Sequence, residues 1–397
     1  MRIGYPRLSV LASWALLGVL ALLCAPWVLP SNKLYHQILI FLLWLPGLLA
    51  LAHVGFSRLL LQPELILFAL LGVWTLLVIA LQGGKDPFSG IKLPFYVLLS
   101  LLGILVAAQH LRCPTERQLQ IAALMAGPFA LWSIIDFYLL SSVHGERRLV
   151  AVGLWDTIIM AAHAVGALTV LGALLTQRPQ ARWQLIPYLM VGVALVLFLF
   201  LGQTRGVWIA LLSVVVVSVF ARPSPLGFAV MGAIGLVLLV VMLASPELLM
   251  QRGLSHRPEL LLKGLVVFAD NWQLGLGFNE YWIAVEAEGR LYKHPHNIYL
   301  DSGIRWGVVG LGLFLMLWGC VAWRAWRNRH CALGFALLGL WTFSSVSLLT
   351  DGIGLWFKPN ADWLITWLPI ALSLVLAVRK DSPVAGVKLE KGKREIF

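Results

Sequence analysis

Twelve times along this chain the sequence runs for about 17–23 residues with almost no charge, the length at which an α-helix crosses a hydrocarbon core of ~30 Å. The runs lie near 8–29, 35–53, 64–81, 93–110, 119–141, 157–176, 183–201, 205–221, 226–244, 303–323, 331–350 and 362–379. In lipid every backbone N–H and C=O must find its partner inside the protein, and a helix does this within one segment. The expected fold is therefore an all-α polytopic membrane protein of about twelve transmembrane helices. Charged residues make up only 12% of the 397 positions, which excludes an ordinary soluble domain. Short connections predict antiparallel neighbours. Residues 1–380 read as a single transmembrane domain, and residues 381–397 as a disordered basic tail. Arg2 and Arg7 precede the first run, as in a signal sequence, but no clean cleavage site follows, so the run is read as a retained span.

An even number of spans places both termini on one side. The loops and tail on that side carry 17 of the 30 basic residues against five acids, and the other side balances at 13 of each. The whole net charge of +12 thus falls on one face, which the positive-inside rule assigns to the cytoplasm. The basic balance is a topology signal and not a sign of nucleic-acid binding. Cys24, Cys113, Cys320 and Cys331 lie in spans or at their cytoplasmic ends, so neither a disulfide framework nor a Cys-based metal site is expected. Within the spans only Asp136 and His163 are clear ionisable candidates. Ion-coupled carriers and pumps need charged relays at mid-depth, so the scarcity argues against a transporter. No internal repeat supports that reading either.

Chemistry is expected instead at the outward face, in a polar loop over about 245–303 that should contain short helices. Six outward cations, Arg252, Arg257, Lys263, Arg290, Lys293 and Arg305, lie in or beside it. Arg205 stands apart in Gln203-Thr204-Arg205-Gly206, where the seventh and eighth spans meet. It reads either as a snorkelling anchor or as a head-group cation whose fixed fork pairs with phosphate oxygens. Pro258 fits the first turn of a helix and biases Arg257 toward extended backbone just before it. A cation beside the positive end of a helix dipole is unfavourable unless an anion is shared between them; pairing with Glu259 is the plainer alternative. In His294-Pro295-His296-Asn297, Asn297 is a candidate N-cap, which puts His296 just outside a helix N-terminus, where a neutral imidazole is favoured as a base. No further ligands stand at a zinc-like spacing. Gly275 and Gly277 permit a tight turn, and Trp272, Tyr281 and Trp282 read as interface aromatics or as sugar-stacking rings. Two other outward segments add His144, Glu146, Arg147 and Arg148, and Asp351, Trp356 and Lys358.

In this order, Thr204-Arg205-Gly206, Arg257 with Glu259-Leu260, Leu274-Gly275-Leu276-Gly277, His296-Asn297-Ile298-Tyr299-Leu300 and Gly307-Val308-Val309-Gly310-Leu311 resemble the O-antigen ligase and polymerase superfamily over about residues 202–320. Pro258 and Leu262 depart from the family's pattern. The resemblance implies a GT-C-like glycosyltransferase of the bacterial inner membrane, with cytoplasmic termini and its site at the periplasmic face. It implies undecaprenyl pyrophosphate as donor carrier, Arg205 and Arg257 as its pyrophosphate ligands and His296 as catalytic base, with no cofactor. His294, Arg147, Arg148, Asp351, Trp272 and Tyr281 are further candidate substrate contacts. An O-antigen ligase acting on lipid A–core oligosaccharide is the expectation. A polymerase or a protein O-oligosaccharyltransferase using the same donor are the alternatives, and a polyprenyl-glycan transporter is the non-enzyme alternative, against which the shortage of intramembrane charge counts.

Overall fold

The computed structural model describes residues 7–51, 57–84, 86–140, 148–155, 157–176, 185–244, 256–285 and 289–380. Each of the twelve apolar runs lies on a helix. Among the described residues nine helices are long and apolar enough to cross a membrane: α1 (Leu8–Trp27), α2 (Asn32–Ala50), α3 (Pro63–Gln82), α4 (Pro87–Ala107), α5 (Thr115–Leu140), α6 (Ile158–Leu175), α7 (Leu185–Gly202), α11 (Ile298–Arg327) and α12 (Ala332–Thr350). Three further helices in the series are α8 (Arg205–Ala221), α9 (Pro225–Ala244) and α13 (Trp363–Lys380). The chain is a polytopic all-α membrane protein.

The most buried helix is α13, where every residue from Trp363 to Ala377 is buried. A helix apolar on all sides belongs inside a bundle. Around it, α12 packs against α8, α6, α11 and α13, and α11 packs against α3. At the arginine-rich end the helix termini are tied by ion pairs. Arg324 makes a paired contact with the fully buried Glu64 at 2.5 and 2.7 Å, and the Ser373 hydroxyl donates to the same carboxylate. Arg379 pairs with Glu116 at 2.6 Å, and Arg222 donates to the carbonyls of Arg329 and Cys331. These arginines, counted above only as a topology signal, also staple helices that are far apart in sequence.

At the opposite end lies the polar segment between α9 and α11. It holds α10 (Arg257–Asp270) and a hairpin of β1 (Ile283–Val285) and β2 (Arg290–Tyr292), paired antiparallel. The hairpin was not anticipated; short helices were. Leu260, Tyr281, Ile283, Val285, Leu300 and Ile304 form a separate small core under it. Lys263 fastens α10 to β1 through the Ala284 carbonyl at 2.8 Å and pairs with Glu259 at 3.1 Å.

This segment is locked to α11 by a break in that helix. The sequence placed the start of the span near 303, but α11 begins at Ile298 and is interrupted at Gly307 (φ 64°, ψ −172°). That backbone region is essentially open to glycine alone. The break frees backbone groups that must be satisfied elsewhere. Leu276 N–H donates to Ile304 O at 2.9 Å, Gly277 N–H to Arg305 O at 2.8 Å, and Val308 N–H to Trp272 O at 2.7 Å. The Trp74 indole takes Trp306 O at 2.7 Å. The Leu274-Gly275-Leu276-Gly277 turn is therefore the complement of the helix break.

Candidate active site

Three helices begin at the candidate residues, and all three N-termini meet the C-terminal end of α12. Arg205 is the first residue of α8, and a Cβ on its neighbour Gly206 would collide with the Thr350 hydroxyl. Arg257 is the first residue of α10, one position further into the helix than the Pro258 argument placed it, and its guanidinium donates to Thr350 O. Ile298 opens α11, and a Cβ on Gly352 would stand 2.8 Å from its side chain. The sequence Thr350-Asp351-Gly352 is thus the meeting point of three positive helix ends, the arrangement that receives an anion.

Each of these entries is bent in the same way. The described non-glycine residues at positive φ are Gln203 (51°), His256 (50°) and His296 (53°), and each directly precedes or lies one residue before the first turn of α8, α10 or α11. Such left-handed residues are uncommon and collect at functional sites. Asn297 then caps α11, its side-chain oxygen accepting from Tyr299 N–H at 3.0 Å and Leu300 N–H at 3.1 Å.

Asp351 joins the pieces. Its side chain is only 7% exposed, and Oδ1 lies 2.8 Å from His296 Nδ1. Its Oδ2 lies 3.7 Å from Arg257 Nη2 and accepts no hydrogen bond. Burial alone would raise the pKa of this carboxyl; the hydrogen bond with His296 and the nearby His296, His163 and Arg257 outweigh burial and hold it below the ordinary value. An ionised carboxylate only accepts, so the His296 Nδ1 that meets it donates, and in the neutral ring this arrangement leaves the lone pair on Nε2.

The His294 ring lies tilted against His296, with ring centroids 4.1 Å apart. Burial first, then the neighbouring His296 and Arg305, push its pKa down to about 4 against the opposing pull of Asp351. Its buried Nδ1 makes no hydrogen bond. Arg148 is engaged elsewhere: Nε donates to Gly202 O at 2.9 Å, and Nη2 to Thr204 Oγ1 at 3.1 Å and Gln203 O at 3.3 Å. It grips the turn that presents Arg205. Tyr281 is buried, and its hydroxyl donates to Asp301 Oδ1 at 2.5 Å, while Arg305 pairs with the same carboxylate at 3.1 Å. That makes Tyr281 a strut under the loop. Trp272 is 50% exposed beside the helix break. Arg147, with His144 and Glu146, lies outside the described residues, as do residues 245–255 and 381–397.

Two contacts had no local signature. His163 Nδ1 meets Asp362 Oδ1 at 3.0 Å, bracing the 351–362 segment against α6. Trp356, buried in that same segment, donates to Thr75 Oγ1 at 2.8 Å. Residues 199 and 281 positions apart cannot be paired by periodicity; only the unusual burial of a histidine in an apolar run pointed toward the first. Among the described residues no three His, Cys, Asp or Glu side chains gather as a metal site.

The arrangement offers cations and helix ends for an anionic leaving group, with a carboxylate-oriented imidazole beside them. The chain is 27% identical to an O-antigen ligase of Pseudomonas aeruginosa over 395 residues, covering 96% of this chain and 94% of that protein. Residues 190–315, the stretch that holds Arg205, Arg257 and His296, match the model of the O-antigen ligase family.

Proposed function

We propose that the chain is an inverting, metal-independent O-antigen ligase that moves a glycan from undecaprenyl pyrophosphate to lipid A–core oligosaccharide at the periplasmic face. The observation that carries the reading is the hydrogen bond from His296 to Asp351 at the point where Arg257 and three helix N-termini meet. The acceptor hydroxyl oxygen attacks the anomeric carbon from the face opposite the pyrophosphate. The carbon–oxygen bond to phosphate breaks with its electron pair, which leaves on the lipid pyrophosphate. Arg205, Arg257 and the helix ends stabilise that growing charge in place of a metal ion. His296 Nε2 takes the hydroxyl proton, a role worth ~10²–10⁴-fold. Asp351 acts through His296 by fixing its tautomer and stabilising the imidazolium that forms.

The loose contact of 3.7 Å between Arg257 and Asp351 supports an exchange in which the guanidinium turns to phosphate when donor arrives. The donor is already activated, so no nucleotide is consumed. The test is transfer by purified protein given undecaprenyl-pyrophosphate glycan and lipid A–core, comparing wild type with His296→Ala. Product on lipid A–core from wild type, lost in the variant while donor binding persists, is expected. A glycan lengthened on its own lipid carrier would instead establish a polymerase.

A further inference from the structure

The arginine-rich end of the bundle carries a groove that the transfer reaction does not use. It is a cavity of about 700 Å³ between the start of α3 and the last turns of α11. Its wall is apolar, made by Leu67, Met316, Gly319 and Trp323, and its end is cationic, with Arg324 and Arg327. Met316 and Trp323 are exposed, so the groove opens outward from the bundle, where a span meets lipid. A Cβ built on Gly319 meets nothing within 4 Å, so the floor of the groove is open space.

The two arginines differ. Arg324 is held by Glu64 at 2.5 and 2.7 Å and by Gln62 at 3.1 Å. Arg327 stands 5.6 Å over the Trp323 ring and is paired with no carboxylate among the described residues. Arginine beside tryptophan is the signature of head-group depth. From Arg327 back to Met316 the helix rises ~16 Å at 1.5 Å per residue, about the depth of one leaflet of a ~30 Å core. The groove therefore runs from head-group level to the bilayer centre with its charge at the outer end. Basic pockets between membrane helices on the positively charged side take anionic head groups.

We propose that this groove binds one anionic phospholipid, its phosphate on Arg327 and an acyl chain laid over Gly319 toward Met316. The site is independent of the transfer chemistry at the other end. The test is native mass spectrometry of protein released from vesicles of equal phosphatidylglycerol and phosphatidylethanolamine. Wild type should retain phosphatidylglycerol about tenfold over phosphatidylethanolamine, the worth of one charge-assisted hydrogen bond. Arg327→Gln should abolish the preference and Arg327→Lys should keep most of it. Gly319→Phe, which fills open space and leaves the fold intact, should remove bound lipid of both kinds. Excess inorganic phosphate should not displace the lipid. Equal retention of the two lipids by wild type, retention unchanged in both Arg327→Gln and Gly319→Phe, or displacement by phosphate would overturn the proposal. If Arg327→Gln does not fold, Gly319→Phe alone decides it.

Discussion

Replacing Asp351 by Asn tests the geometry of the site more sharply than removing the base itself. The side chain is nearly isosteric, sits in the same buried position, and leaves His296 in place. What changes is the identity of the groups facing His296 Nδ1 across 2.8 Å. An amide that turns its nitrogen toward the ring needs an acceptor there, which moves the ring proton to Nε2 and removes the lone pair that receives the acceptor's proton. An amide that turns its oxygen keeps the tautomer but loses the charge that stabilises the imidazolium. A hydrogen bond to a charged group is worth ~1.5–3 kcal/mol, or about 10- to 150-fold in rate. Loss of the base altogether sets the limit at ~10²–10⁴-fold. Transfer by Asp351→Asn should therefore fall by ~10- to 10⁴-fold, with the KM for donor near the wild-type value, because the lost interaction belongs to the transition state. The assay is the initial rate of glycan appearing on lipid A–core, with donor binding measured separately. A variant within about threefold of wild type, or one whose whole loss is in donor KM, would refute the role assigned to Asp351.

Gly307→Ala places a side chain in a backbone region reserved for glycine and against the Gln273 carbonyl, so it should cost about 3 kcal/mol or more, read as a lowered unfolding midpoint in nanodiscs. Arg148→Ala releases the turn before Arg205, and donor affinity should weaken about 10- to 100-fold, with partial recovery in Arg148→Lys. His294, with its pKa near 4, stays neutral in the folded protein while the unfolded chain takes up a proton below its ordinary value of 6.5. Stability should thus decline as pH drops from 6.5 to 4, by on the order of 3 kcal/mol, and level off below; His294→Leu should flatten this slope in thermal unfolding, and an unchanged slope would remove His294 as its source.

Much of the architecture was legible because membrane helices write themselves locally. Length and apolarity place the twelve runs without reference to anything distant. Local chemistry also located Asn297 as a cap, Pro258 in a first turn and Gly275-Leu276-Gly277 as a turn. The partner of that turn was not legible, because nothing near Gly307 announces that its helix opens to receive residues 272–277. Asp351 could be marked only as a polar residue at the right face, since its pairing with His296 spans 55 positions. Arg148 and Tyr281 read as substrate contacts because arginine and tyrosine have the same sequence appearance whether they face a ligand or a backbone carbonyl. Glu64 entered only as one of the five acids in the charge count of the basic side; its burial is intelligible only once Arg324 and Ser373 are seen beside it.

The interruption at Gly307 also determines how the region can be exchanged. Residues 257–306 carry their own small core, and the opening stub of α11 is bound to the 272–277 turn at several backbone positions at once. A chimera with a junction inside that stretch would strand donors and acceptors on both sides. Junctions just before Arg257 and just after Val308 would transplant an intact cassette, complete with its anchor. Swapping that cassette between relatives is then the cleanest route to learning which part of the molecule chooses the sugar.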